Sequence, residues 1–203
     1  MRAHWQEVGV ELGEPDRAGF AGQRTLPAAD RAEIDDLLAR YCFTLDLRDW
    51  DGLRHVFAPD AVITYSGSRT SSGIDDIVKF FRVTASAAAA TQHLLHTSRV
   101  WATGARTAAG LAHVTAHHLA RGAARPTDEA STYTVTGTYA DDFTLTTAGW
   151  RISRRILTLL TKAGDPAILA RPASGLPTGP LPLMNDLVTL RYRCPGRRRR
   201  RNP

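Results

Sequence analysis

The stretch YCFTLDL at residues 41–47 puts an acid, Asp46, into an otherwise apolar helical run. Facing water, such an acid only solubilises its helix. Facing a cavity, it can orient a base. On a helical wheel Asp46 falls beside Cys42 and Ala39, at the edge of the apolar stripe, and this position admits both uses. Candidate bases are plentiful. The chain holds seven histidines, and His93, His96, His113, His117 and His118 all fall in two neighbouring strand-like runs. His93 and His96 have opposite parity and cannot share one face of a strand. In LAHVTAHHLA, residues Ala112, Val114, Ala116, His118 and Ala120 share a face that suits the inside of a curved sheet, while His113, Thr115 and His117 take the outside. If Asp46 reaches an inward histidine, its carboxylate fixes the imidazole tautomer and stabilises the imidazolium, giving a base that works near neutral pH. A second histidine or a tyrosine hydroxyl then acts as acid or polarises a carbonyl. Such a set suits proton abstraction beside a carbonyl, followed by loss of water, ring closure or isomerisation.

Competing chemistries lack their patterns. There is no His-Glu-x-x-His and no paired-cysteine motif, and adjacent His117 and His118 point to opposite faces of a strand, so no metal site is expected. Gly-x-Ser-x-Gly is absent, as is a glycine-rich phosphate loop, and no cofactor is expected.

The elements that must position these groups follow from periodicity. PAADRAEIDDLLARYCFTLDLRDW opens a helix with Asp30 as N-cap and Glu33 three residues on; Ile34, Leu37, Leu38, Tyr41 and Leu45 form its stripe. A second short helix follows and ends where Pro59 breaks it, and AVITYSG is a strand. SGIDDIVKFFRVTASAAAA predicts a third helix with Ile74, Ile77, Val78 and Phe81 on one side. Then the pattern changes. TQHLLHTSRVWA, AGLAHVTAHHLARG, ASTYTVTGTYADDFTLT and GWRISRRILTLLT predict four long strands joined by hairpin-like breaks. In the third, Thr132, Thr134, Thr136 and Thr138 share one face; Tyr133, Val135, Gly137, Tyr139 and Phe143 share the other, which should be the covered one. Helices followed by strands imply an α+β domain. A long curved antiparallel sheet with three N-terminal helices on its concave side would enclose a small-molecule pocket.

The boundaries are set by composition. Residues 1–27 mix Gly, Pro and charge as an N-terminal extension, 28–163 form the domain, and 164–203 are a Pro/Gly/Arg-rich tail with little fixed structure expected. The net charge of +6 belongs to that tail: residues 166–203 carry eight arginines against Asp186, which leaves the remainder near neutral. The terminal GRRRRRNP could engage a nucleic acid or an anionic surface, against the plainer reading of a solvated, self-repelling end. Cys42 and Cys194 lie in unlike surroundings and no disulfide is expected. No apolar leader or membrane span is evident, and a soluble cytoplasmic protein is expected.

A resemblance joins these observations. IDDLLARYCFTLDLRDWDGLRHVFAPDAVITY, then TQHLL, then GTYADDFTLTTAGWRISRR resembles the SnoaL-like branch of the nuclear transport factor 2 superfamily, over roughly residues 28–162. That branch includes scytalone dehydratase. The resemblance implies a cone-shaped α+β barrel whose helices close a deep pocket, and it turns Asp46 toward that pocket. By analogy with the dehydratase it implies His118 as general base oriented by Asp46, with His93 and Tyr65 polarising water or substrate. Tyr139, Tyr41 and Val114 are expected to contact the substrate. Leu45 stands where the dehydratase has a tyrosine, and Gly137 and Tyr139 replace its Ser and Asn, so the substrate should differ from scytalone. The expected function is a lyase (dehydratase), polyketide cyclase or isomerase of secondary metabolism acting on a small apolar oxygenated metabolite of polyketide or aromatic type. The alternative is a non-catalytic small-molecule-binding or assembly domain of the same fold. The resemblance also implies a homodimer.

Overall fold

A computed structural model of the chain describes residues 22–65, 69–121 and 131–170. Most of the N-terminal extension, residues 1–21, and the arginine-rich tail from residue 171, with the partner expected for it, lie outside the described residues. Helix α1 (Ala28–Asp46) leads through a 3-10 turn (Gly52–His55) into β1 (Phe57–Tyr65), β2 (Arg69–Ser72) and α2 (Ile74–Ala87). Four long strands follow: β3 (Ala90–Ala102), β4 (Thr107–Leu119), β5 (Thr132–Thr146) and β6 (Gly149–Gly164). A single turn of helix, α3 (Ala167–Ala170), closes the described chain.

The strands form one curved, open sheet in the order β2-β1-β6-β5-β4-β3. The expected antiparallel sheet holds at every described pairing except β1–β6, which is parallel. The long excursion through α2 and β3 to β5 lets the chain return beside β1 in the same direction, a connection that two-residue hairpins cannot make. The inward face of β5 is as its alternation predicts: Tyr133, Val135, Tyr139 and Phe143 are buried and the threonines stay partly exposed.

Helix α1 lays the expected stripe, Ile34 through Leu45, into the core against β3 and β6. Its start differs from the reading of capping residues. The helix begins right after Pro27, whose carbonyl accepts the first helical bond from Arg31 N–H, at 3.0 Å. Asp30 lies inside the first turn and is spent on a long-range contact, accepting from the indole N–H of Trp150 at 3.1 Å. Glu33 accepts the backbone N–H of the same tryptophan, at 2.9 Å. These acids fasten the helix to the start of β6 in place of capping it.

Three further expectations need correction. Pro59 does not end a helix but lies inside β1, where the register against β6 slips between Phe57 and Val62; a residue without an N–H is tolerated in such an irregularity because no regular ladder bond is lost there. The three N-terminal helices are two α-helices and a 3-10 turn, and the third α-helix is C-terminal. Order also continues past Asp165: Ile168 of α3 is fully buried against Ala88, Ala116, Ala120, Tyr133 and Val135.

Candidate active site

The end of α1 and the beginning of β3 meet at Asp46. Its Oδ1 lies 2.7 Å from Nδ1 of His93 and accepts the Thr91 hydroxyl at 2.9 Å; its Oδ2 accepts the His93 backbone N–H, also at 2.9 Å. Both side chains are nearly enclosed, at 7% and 9% exposure. A carboxylate can only accept, so Nδ1 of His93 donates a proton to Asp46, which leaves Nε2 as the ring nitrogen free to face the cavity. Two independent bonds to one histidine, through ring and backbone, leave the imidazole little rotational freedom.

The expected partner of Asp46 was His118, and the structure replaces it with His93. Register decides this. Asp46 arrives at the edge strand β3, whereas His118 lies one strand further in, opposite Thr91 of β3 and Tyr133 of β5. There its Nδ1–H is already engaged, donating to the Tyr133 carbonyl at 2.9 Å. The two imidazoles still face one another, with ring centroids 6.2 Å apart. Burial pushes His118 down to about 4, offset in part by the Tyr133 carbonyl, so its ring is neutral at neutral pH with Nε2 as an acceptor.

Across the cavity stand three phenols. Tyr41 OH is 2.8 Å from Tyr65 OH and 3.3 Å from Tyr139 OH. Burial, followed by the neighbouring phenols, holds Tyr41 and Tyr65 well above the ordinary tyrosine range; burial also raises Tyr139, against the pull of Arg155. All three therefore stay protonated and can donate. Beneath them the Arg155 guanidinium is stacked between the rings of Tyr41 and Tyr139, 4.1 and 4.0 Å from their centroids, and pairs with Asp141 through two bonds of 2.7 and 2.6 Å. Burial works against the guanidinium's charge, but the Asp141 carboxylate outweighs it and holds Arg155 well above its ordinary range.

The groups enclose a cavity of about 170 Å³ between the concave sheet and α2. Tyr65, His93, His118, Tyr139 and Val114 line it, among apolar walls from Phe80, Phe81, Ala116, Val135, Leu157 and Leu169. Of the predicted contact residues, Tyr41 is the exception: it is fully buried behind the lining, with its hydroxyl against those of Tyr65 and Tyr139. Among the described residues no three His, Cys, Asp or Glu side chains come together as metal ligands. Sequence reading passed over Thr91, Asp141 and Arg155. Parity was an available signal for two of them: Thr91 shares the face of His93, and Asp141 shares the covered face of Tyr139 and Phe143. Arg155 was hidden because the β5–β6 register slips between Asp142 and Phe143, which breaks the simple alternation along β6.

The SnoaL-like domain family matches residues 27–156, and the chain belongs to it, within the nuclear transport factor 2-like superfamily. No curated protein matches the chain. Among solved structures, a candidate aromatic ring hydroxylase from Novosphingobium aromaticivorans is 25% identical with a TM-score of 0.63, over 71% of this chain and 99% of that one. A candidate scytalone dehydratase from the same organism is 20% identical with a TM-score of 0.58, over 68% and 93%. The hexachlorocyclohexane dehydrochlorinase LinA-type3 from Novosphingobium barchaimii is 16% identical with a TM-score of 0.59, over 68% and 91%. No helix among the described residues is long and apolar enough to cross a membrane.

Proposed function

We propose that the chain is a cofactor-independent acid/base lyase, cyclase or isomerase acting on a small, largely apolar, oxygenated metabolite of polyketide or aromatic type. The observation that carries this reading is the 2.7 Å Asp46–His93 pair opening into an apolar cavity whose far wall presents tyrosine hydroxyls. His93 Nε2 takes a proton from a carbon beside the substrate carbonyl. Asp46 faces the nitrogen on which the imidazolium charge grows, so the charge is balanced within the pair. Tyr65, held by Tyr41, donates to the substrate oxygen as negative charge builds there. His118 accepts a hydrogen bond from a substrate hydroxyl or a water. The base role implied for His118 thus passes to His93, because a ring pushed down to about 4 is a poor base at neutral pH.

The structural neighbours include a candidate scytalone dehydratase and a hexachlorocyclohexane dehydrochlorinase, and this supports the class without choosing a substrate. The test is a screen of hydroxy-ketone and polyketide-like compounds for water loss or cyclisation, with His93→Ala as control. Turnover that vanishes in His93→Ala supports the reading. Ligands that raise the thermal midpoint without forming any product point instead to a binding module on the same cavity.

A further inference from the structure

Two spaces meet at the Asp46–His93 pair. One is the inner cavity. The other is an open groove of about 320 Å³ along the seam between α1 and β3, with Ala39 and Cys42 on the helix wall and Leu94 and Ser98 on the strand wall. His93 lines both spaces, while Asp46 lines the groove alone. The pair is therefore a partition, with the carboxylate on the groove side and the imidazole reaching through to the cavity. The local fold explains the gap. β3 is the last strand of the sheet, and its register slips between Leu95 and Ser98, beside the groove. Helix α1 turns Ile34, Leu37, Tyr41 and Leu45 into the core, which leaves the exposed Ala39 over the seam.

We infer that this groove is a solvent port to the dyad, separate from the substrate cavity. The inference rests on the proposed role of the pair as a base. An apolar substrate filling the inner cavity leaves no room there for the water that a working base needs for proton exchange. Through the groove, the Nδ1 proton of His93 exchanges with water by way of Asp46, one proton leaving as another arrives, while the proton taken up at Nε2 is handed back inside the cavity to the substrate's departing or enolate oxygen, so charge and protons balance. The cavity can then stay dry while the dyad stays in equilibrium with bulk solvent.

The experiment measures exchange of the His93 Nδ1 proton with water by NMR of the full-length protein labelled with ¹⁵N at histidine. Ala39→Trp blocks the groove, and Ala116→Phe fills the inner cavity. Exchange at least tenfold slower in Ala39→Trp than in the native protein, with a smaller change in Ala116→Phe, is the expected result. Slowing in Ala116→Phe equal to or greater than that in Ala39→Trp overturns the port. Leu94→Trp and Val114→Phe repeat the comparison from the opposite walls, so that one poorly folding variant does not decide the outcome. Exchange reports the route and turnover reports the role, so the port and the base assignment can fail separately.

Discussion

Asp46 takes three hydrogen bonds from β3, two of them from a single histidine, and this crowding of donors fixes the orientation of one imidazole, as the proposed base role requires. Asp46→Asn keeps the shape but cannot balance an imidazolium; kcat should fall about a hundredfold or more with KM little changed, measured on whichever substrate the screen finds. His118 carries a different consequence. Its folded value of about 4 lies below the ordinary 6.5, so below pH 6.5 the unfolded chain binds a proton that the native protein refuses. Stability from this group is present above about pH 6.5 and is lost as pH falls toward 4, by roughly 3 kcal/mol in all. Urea unfolding of the native protein and His118→Gln between pH 4 and 7 should show the extra slope in the native protein alone. Parallel curves would mean that His118 titrates alike in both states.

Strands β5 and β6 join the floor of the cavity to the core. Asp141 and Arg155 face each other across them, buried and doubly bonded. Asp141→Ala leaves a buried guanidinium without its counter-charge and should cost about 3–5 kcal/mol in urea unfolding. The double variant Asp141→Leu with Arg155→Met should regain much of that loss, because the expensive species is the unpaired charge. Gly137 of β5 lies where the register against β6 slips, and a Cβ there would stand 2.3 Å from the Thr158 carbonyl oxygen. Gly137→Ala therefore has to move backbone, and a loss of about 1–3 kcal/mol is expected.

At the scale of the molecule, α3 brings the end of the domain over the cavity, with Ile168 fully buried and Leu169 on the lining. A chain ending at Asp165 should unfold with about 2 kcal/mol less stability than one ending at Ala170, as expected for exposing one large aliphatic side chain. Equal midpoints for the two lengths would remove α3 from the fold's accounts.

Period and parity by themselves determined a good deal. The stripe of α1, the amphipathic α2, the alternation of β5 and the inward face of Val114, Ala116 and His118 are local properties, because side-chain direction repeats every 3.6 residues in a helix and every two in a strand. The family resemblance added the cone-shaped barrel and turned Asp46 toward the pocket that the layout of helices and strands already implied. Which histidine meets Asp46 was not legible, because His93 and His118 both face inward and only strand order places β3, rather than β4, against the end of α1. The parallel β1–β6 pair, Pro59 within a strand and the Asp141–Arg155 pair beneath the phenols share that cause. Each depends on a register set by bulges between segments far apart in sequence, and pairing of that kind is decided only when the sheet closes over its core.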